Sequence, residues 1–345
     1  ESPTGGVFGT LSPFLVKGTF FSSGGFSARD GNARAGVLAL ESQDLPQQSE
    51  VNLNLGLAAA SAGVNAVVAG GKLGVRFSGN QSFTEVMFRL NGRRDEFTQT
   101  PRSNDFNLSL IFPYSDTGHL KLFNFIASDR IGVNVDLPSF AGIYEGDERN
   151  HLHNLQWTEV LADRWLIKSS LSLNRYRSTR GLGNLQLEQE DDTYKWRTDM
   201  EADLSQRWRL RFGGEVEETV NRYAGKVPQG DVLDPNAPTY SIAEKYAARR
   251  LGGYSEIETQ LSRRWLASMG VRFDHHNLAS ETTIDPRLSL RYEISQNSNL
   301  RASWGLYHQF PQPYEFNPAS GNPHLGAQSA EHFILGYELN RESSQ

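Results

Sequence analysis

From residue 51 onward, apolar and polar side chains alternate every two residues over long stretches of the chain. In residues 196–204 one face carries Trp196, Met200 and Leu204, whereas every position of the opposite face is charged. A period of two with one apolar face is typical of a half-buried β-strand. The sequence contains no run of 18 apolar residues, which excludes a transmembrane helix. The chain is therefore predicted to be all-β.

Two folds are consistent with this pattern. A soluble β-sandwich places the apolar faces in its core, and a membrane β-barrel places them in lipid, with the charged faces toward a wet lumen. Predicted strands such as 165–176, 207–218 and 249–261 are longer than the five or six residues usual in soluble sheets and suit a tilted membrane strand of about 9–11 residues. Strand length therefore favours an antiparallel transmembrane β-barrel.

The connections between the predicted strands alternate between short and long. Short turns follow one end of each strand pair, and the long segments are 129–149, 177–192, 221–248, 276–285 and 310–330. This alternation is expected when one barrel rim faces the periplasm and the other faces the exterior. About 14–15 strands are predicted over residues 51–340, and a barrel that closes is expected to need more of them.

Trp165, Trp208 and Trp265 each follow a short turn, are each preceded by arginine, and are each in phase with the apolar face of their strand. An indole repeated at one depth on the lipid-facing side is typical of an interfacial aromatic girdle. The alternative is that the three are core tryptophans at strand starts. The sequence predicts the girdle.

The charged faces of neighbouring predicted strands oppose one another. Arg197, Asp199 and Glu201 are expected to face Arg209 and Arg211 across one hairpin. Such residues could contact a plug inside the barrel, although a wet wall that only needs to be hydrophilic explains each of them equally well.

No motif for catalysis or metal binding is found. The chain has no cysteine, and its net charge of −6 gives no support to nucleic-acid binding. His151 and His153 share a strand face and residues 188–192 are acidic, but neither group has an ordered metal-ligand spacing. The sequence therefore predicts no metal, no cofactor and no enzymatic activity.

The predicted loops give limited information about a ligand. Together they carry 15 acidic and 7 basic residues, which disfavours a strongly anionic ligand at entry. Their aromatic residues could stack on a sugar or siderophore ring, or could pack the loops together; they are Phe140, Tyr144, Tyr240, Phe310 and Tyr314.

Two parts of the chain resemble TonB-dependent outer-membrane receptors. The first is Gly24-Gly25-Phe26-Ser27-Ala28-Arg29-Asp30-Gly31-Asn32 with Gly36-Val37-Leu38-Ala39-Leu40, which resembles the end of the plug domain of that family. The second resembles a late barrel hairpin and its extracellular loop, and comprises Pro286-Arg287-Leu288-Ser289-Leu290-Arg291-Tyr292, Leu300-Arg301-Ala302-Ser303-Trp304-Gly305, Gln309-Phe310-Pro311-Gln312-Pro313, Gly321-Asn322-Pro323-His324-Leu325 and Ala330-Glu331-His332.

The resemblance implies a plugged barrel of about 22 strands in the outer membrane of a Gram-negative bacterium. Residues 1–46 would be the C-terminal end of the plug and residues 47–345 a partial barrel, truncated at both ends. It further implies import of a scarce extracellular small ligand, driven by the TonB complex through an N-terminal segment missing here. A passive porin-like channel and, less favoured, a soluble all-β binding protein are the alternatives.

Overall fold

A computed structural model describes residues 16–137, 140–231, 233–234, 236–317 and 321–339. It confirms the predicted all-β fold. The strands are β1 (Val16–Ser22), β2 (Val37–Ser42), β3 (Glu50–Leu55), β4 (Ala59–Val68), β5 (Leu73–Ser82), β6 (Phe97–Pro113), β7 (His119–Leu137), β8 (Phe140–Leu161), β9 (Trp165–Leu182), β10 (Leu185–Asp203), β11 (Trp208–Pro228), β12 (Thr239–Gln260), β13 (Trp265–His276), β14 (Glu281–Ser295), β15 (Ser298–Gln309) and β16 (Gln328–Leu339).

The strands form two sheets. β1 and β2 pair in a small antiparallel sheet of their own, and the 14 strands from β3 to β16 form one sheet in which each strand pairs with its neighbours in sequence. This antiparallel meander agrees with the predicted 14–15 strands. The helical elements are short, such as α1 (Glu85–Leu90), and no helix in the described ranges is both long enough and apolar enough to cross a membrane.

The prediction of long loops is wrong for most of these segments, because the strands continue through them. Residues 129–137 of β7 pair with residues 140–148 of β8, and residues 177–182 of β9 pair with 185–190 of β10. β8 has 22 residues, which at about 3.3 Å per residue is roughly 70 Å of strand, well beyond an apolar band about 25 Å tall. Of the five long loops predicted from the sequence, those after β11 and β15 remain long.

The large sheet has two chemically different faces. On the outer face, Leu171 pairs with Trp196, and Leu171 and Met269 are about 60% exposed. Nearer the ends of the long hairpins the same face becomes charged, with Arg222 beside Asp192 at 3.1 Å. The opposite face, here called the inner wall, carries the buried Arg272 and Glu215. The alternation read from the sequence thus separates an apolar outside from a charged inside.

The linker between β2 and β3 is fixed to the inner wall near its short-turn end. Lys121 on β7 donates hydrogen bonds to the carbonyls of Ser42 and Gln43, at 3.2 and 2.7 Å. A Cβ at Gly74 would lie 2.7 Å from the Pro46 ring, so glycine is what lets the linker approach β5. The hydrogen bond from Lys17 lowers the pKa of the Asp44 carboxyl in the same linker.

Candidate functional site

Residues 24–32, here called the inner segment, form a compact turn that lies on the inner wall. The Asp30 amide donates to the Ser27 carbonyl at 3.0 Å, which closes the turn. Gly25 has a φ of 63°, and Asn32 has a φ of 53°. This is the left-handed region, which glycine and asparagine tolerate best. The glycine-rich composition of this part of the sequence therefore has a conformational reason.

Side chains of the wall bind the backbone carbonyls of the inner segment. Arg197 on β10 and Arg272 on β13 both donate to the Arg29 carbonyl, at 3.0 and 3.1 Å. Arg287 on β14 donates to the Asp30 carbonyl at 2.7 Å and also to the Ser27 carbonyl. Backbone carbonyls of the turn thus accept hydrogen bonds from charged donors of the wall.

Carboxylates of the wall bind the donors of the same segment. Glu256 on β12 accepts from the Ser27 hydroxyl at 2.7 Å and from the Ala28 amide at 3.1 Å. Asp199 on β10 accepts from the Arg29 guanidinium at 3.3 Å. The wall therefore matches the inner segment with donors and acceptors on both sides, which fixes its register as well as its position.

An ionic network on the wall supports these contacts. Glu215 accepts from Arg250 at 2.7 Å and from Arg272 at 2.6 Å, and Asp274 accepts from the same two arginines at 3.1 and 2.5 Å. All four side chains are buried. Because each buried charge has opposite charges on two sides, the guanidinium of Arg272 is oriented before it meets the inner segment.

Phe26 anchors the inner segment by packing. Its side chain is 4% exposed, and its ring lies 4.4 Å from the ring of Tyr307. The Arg287 guanidinium lies 5.1 Å from the Phe26 centroid, and His332 meets the ring edge-on at 6.3 Å. Aromatic and cation–π contacts therefore surround the one large apolar side chain that the segment inserts into the wall.

A cavity of about 320 Å³ adjoins the inner segment on its long-hairpin side. The wall of the cavity comes from β9 to β13 and includes Tyr176, Asp191, Asn221 and Arg250. Asn32, together with residues 310–313 of the connection after β15, completes it. The Phe310 amide donates to the Asn32 side-chain oxygen at 2.9 Å, so the inner segment and this connection meet at the cavity.

The connection after β15 folds back against the wall. Phe310 stacks on His276 of β13 with centroids 4.9 Å apart, and Phe316 stacks on the same imidazole at 6.1 Å. The Asn317 amide donates to the Tyr246 hydroxyl at 2.8 Å, and Tyr314 packs edge-on against Tyr223 at 6.1 Å. Residues 310–317 of this connection therefore have a defined position over the cavity.

A second cavity, of about 440 Å³, lies between α1 and strands β5 and β6. Arg89 and Arg102 line it, and both approach Glu85, at 2.6 and 3.8 Å. The two arginine side chains are largely exposed. The cavity has neither the docked segment nor the aromatic cover of the first one.

The predicted ligand-contacting aromatics fall in different places. Phe310 is buried at the 320 Å³ cavity, and Tyr314 lies beside it, half-exposed. Tyr144 lies on β8 and Tyr240 at the start of β12, both outside the set of side chains that line this cavity. Phe140 pairs with Leu137 at the start of β8, and its side chain lies outside the described part of the structure.

The predicted lumen residues lie on the inner wall, on the two strands of the β10–β11 hairpin. Glu201 pairs with Arg211, and Arg197 and Asp199 contact the inner segment directly. Arg211 reaches that segment only through Glu256, at 3.2 Å. Arg209 binds Asp203 at 2.7 Å, near the short turn.

Sequence reasoning missed most of the residues that hold the inner segment. Arg250, Arg272, Asp274, Arg287 and Tyr307 come from strands that were recognised, but no role was expected for them. The period-two pattern could have placed them on the charged face. It could not have shown that this face meets a segment more than 200 positions away in sequence.

Each of the three predicted girdle tryptophans begins a strand: Trp165 begins β9, Trp208 begins β11 and Trp265 begins β13. Trp165 packs edge-on against Phe212 at 6.0 Å, and Trp265 packs against Tyr292 at 4.6 Å. No group of three or more possible metal ligands is found among the described residues. His153, one of the two histidines considered as ligands, binds Asn124 at 2.7 Å on the outer face.

A meander of long strands with an apolar outer face, a charged inner wall and a segment of the same chain docked on that wall is typical of the wall of a large membrane β-barrel. The family model described as "TonB dependent receptor-like, beta-barrel" matches residues 79–345. The chain therefore belongs to this family. TonB-dependent receptors are transporters of the outer membrane of Gram-negative bacteria and not enzymes. Membership of this family confirms the predicted outer-membrane location and the prediction that the protein is not an enzyme.

Solved structures share the fold at low sequence identity. The siderophore receptor PirA from Acinetobacter baumannii has a TM-score of 0.72 and 13% identity over 95% of this chain and 56% of its own. PirA from Pseudomonas aeruginosa has a TM-score of 0.70 and 14% identity over 99% of this chain and 62% of its own. A mutant of the ferric enterobactin receptor PfeA from the same organism has a TM-score of 0.67 and 15% identity over 92% of this chain and 55% of its own. The chain thus spans between half and two thirds of each structure. A search of curated proteins found no match.

Proposed function

We propose that the protein is an energy-coupled import receptor, which binds a scarce small ligand outside the cell and passes it through the barrel with energy from the TonB complex. The inner segment is the observation that carries this proposal. A segment held on the lumen wall by Arg197, Arg272 and Arg287 is what a plugged receptor needs and what an open channel lacks.

In this proposal residues 1–46 are the end of the plug and residues 47–345 belong to the barrel. The linker contacts of Lys121 support such a division, because they fix the chain just before β3 begins. The three tryptophans Trp165, Trp208 and Trp265 would form the girdle at the periplasmic rim, in contact with outer-membrane lipid.

The cavity beside the inner segment is the proposed ligand site. Its volume of about 320 Å³ falls within the range of small-molecule sites. It lies between the inner segment and a connection on the long-hairpin side, so a bound ligand would touch both. The solved relatives are named as siderophore receptors, and a siderophore is therefore one candidate ligand.

Growth under nutrient limitation tests the proposal. Strains with and without the natural full-length protein would be compared in media limited for iron, corrinoid or carbon source, each in a background with and without functional TonB. We expect an advantage under one limitation that disappears without TonB. An advantage that persists without TonB, together with a steady conductance of the purified protein in planar bilayers, would indicate a passive channel instead.

A further inference from the structure

The cavity beside the inner segment contains a carboxylate without a cationic partner. Asp191 on β10 accepts from the Asn221 amide and from the Gln189 amide, both at 2.7 Å. No arginine or lysine in the described ranges pairs with it. This distinguishes Asp191 from Asp192, whose side chain points to the outer face and binds Arg222 at 3.1 Å.

The other charges of the cavity are already compensated. Glu217 is bridged by Arg250 and Lys195, both at 3.1 Å. The terminal nitrogens of Arg250 are in turn taken by Glu215, Asp274 and Glu217, which leaves only its Nε without a partner. The cavity therefore carries one net negative charge, and that charge is at Asp191.

Polar side chains line the strand side of the cavity around this charge. Asn174 and Asn221 lie there together with the hydroxyl groups of Tyr176, Thr193 and Thr219. A ligand that presents a cation to Asp191 would therefore meet hydrogen-bonding groups on either side of that carboxylate.

The cover of the cavity is apolar and aromatic. Phe310 is stacked on His276, and Pro311 and Pro313 flank it along the same connection. A ring or a flat apolar surface fits against such a cover, whereas the strand side offers oxygen atoms. The two sides of the cavity therefore suit a ligand with one apolar end and one polar end.

We propose that the cavity selects a ligand that presents a protonated amine or guanidinium to Asp191 and a planar or apolar face to Phe310. The proposal rests on the import function and names the chemical class that this site takes. An anionic ligand would meet an uncompensated carboxylate, and this repulsion disfavours it in the cavity.

Three probes of nearly equal size test the charge preference: tyramine, which carries an ammonium; tyrosol, its neutral alcohol; and 4-hydroxyphenylacetate, its carboxylate counterpart. Binding would be measured by calorimetry on the natural full-length protein in detergent at pH 7. We expect tyramine to bind at least tenfold more tightly than the carboxylate, with tyrosol between them. Equal affinities, tighter binding of the carboxylate, or no binding of any probe at millimolar concentration would overturn the proposal.

Single substitutions test whether Asp191 causes the preference for tyramine over the carboxylate probe. Asp191→Asn removes the free charge, and Asp192→Asn removes the same charge from the next residue, on the outer face. We expect the preference for tyramine to vanish in the first variant and to persist in the second. Phe310→Leu should weaken the binding of tyramine and of tyrosol to the same extent, because both probes present the same ring. An unchanged preference in Asp191→Asn would place the probe elsewhere and refute the assignment.

The measurement separates this proposal from the import function on which it rests. Binding is measured without TonB, so charge-selective binding combined with TonB-independent growth would refute the import function alone. TonB-dependent growth without charge-selective binding would refute only the ligand class.

Discussion

Arg272 donates to the carbonyl oxygen of Arg29 at 3.1 Å, and the two residues are 243 positions apart in the chain. The remaining donors of the guanidinium are directed at Glu215 and Asp274. The wall therefore orients this arginine with its own carboxylates, and the inner segment uses the donor that is left. Arg272 therefore contributes both to the stability of the wall and to the retention of the inner segment.

Replacing Arg272 by methionine tests this dependence. The change leaves two buried carboxylates without one of their partners, and the free energy of unfolding should fall by about 3–5 kcal/mol. Urea unfolding of the full-length protein in detergent measures the loss. Arg249→Met is the matched control, because Arg249 binds Glu218 at 2.8 Å on the exposed outer face, where a pair is worth about 0–1 kcal/mol. Equal losses in the two variants would contradict the argument.

A methyl group at Gly31 should displace the inner segment. A Cβ there would overlap the Arg272 guanidinium, and overpacking of this kind costs about 1–3 kcal/mol. Limited trypsin digestion should then cut faster after Arg29 and Arg34. In Gly336→Ala the added methyl meets open space, so digestion should be unchanged. A Gly31→Ala protein as resistant as the parent would mean that the segment is not held by close contact.

Phe26 supplies the apolar part of the anchor. Phe26→Ala should lower the unfolding free energy by about 3–5 kcal/mol, the usual cost of removing a buried phenylalanine. Phe21→Ala provides the comparison, because that ring is 68% exposed on β1. If both variants unfold at the same urea concentration as the parent, the packing seen around Phe26 contributes nothing to stability.

Charges on the outer face should impair membrane assembly. Arginine at Leu171, Phe212 or Val271 should cost about 2–4 kcal/mol at mid-depth in the bilayer, which refolding into lipid vesicles would measure. Ser268→Arg is the control on the same strand as Val271, since Ser268 lies on the inner wall opposite Glu258. Normal assembly with all three outer-face arginines would count against lipid contact at these positions.

The linker should loosen at low pH. Because Lys17 lowers the pKa of Asp44, the contact stabilises the folded state above the usual aspartate pKa and loses that contribution as the pH falls through the lowered value. The loss would be followed by measuring hydrogen exchange of residues 16–46 as a function of pH, in the parent and in Asp44→Asn. The parent should be better protected at pH 5, and the difference should disappear as the pH falls toward 2. A difference that grows on acidification would have the wrong sign.

The membrane part of the fold could be predicted because lipid imposes a strong pattern. Positions such as Leu171 and Trp196 must be apolar while Arg197 may be charged, and this alternation gives both strand and face. Beyond the apolar band, polar residues occupy both faces of β8 over residues 145–150 and of β10 over residues 188–192, so the alternation disappears there and these parts of the strands resemble loops. Hydrogen bonds along the backbone keep these strands paired without any help from side-chain pattern.

The candidate site could be predicted only in part. Phe310 was recognised as an aromatic residue in a connection that stays irregular, and Arg197 as a charged wall position. The partner of Arg197 in the inner segment is a backbone carbonyl, which carries no sequence signal. Asp191 was read as part of an acidic loop end, whereas its environment depends on Asn221 of the next strand.

The extension of the hairpins beyond the apolar band determines how the cell surface presents this protein. An antibody approaching β8 or β10 meets paired strands, in which only every second side chain is offered on a given face. A linear peptide copied from residues 140–150 displays all of its side chains to an antibody at once. Antisera raised against such peptides would therefore recognise denatured protein on a blot and fail on intact cells, and useful epitopes have to be built from adjacent strands.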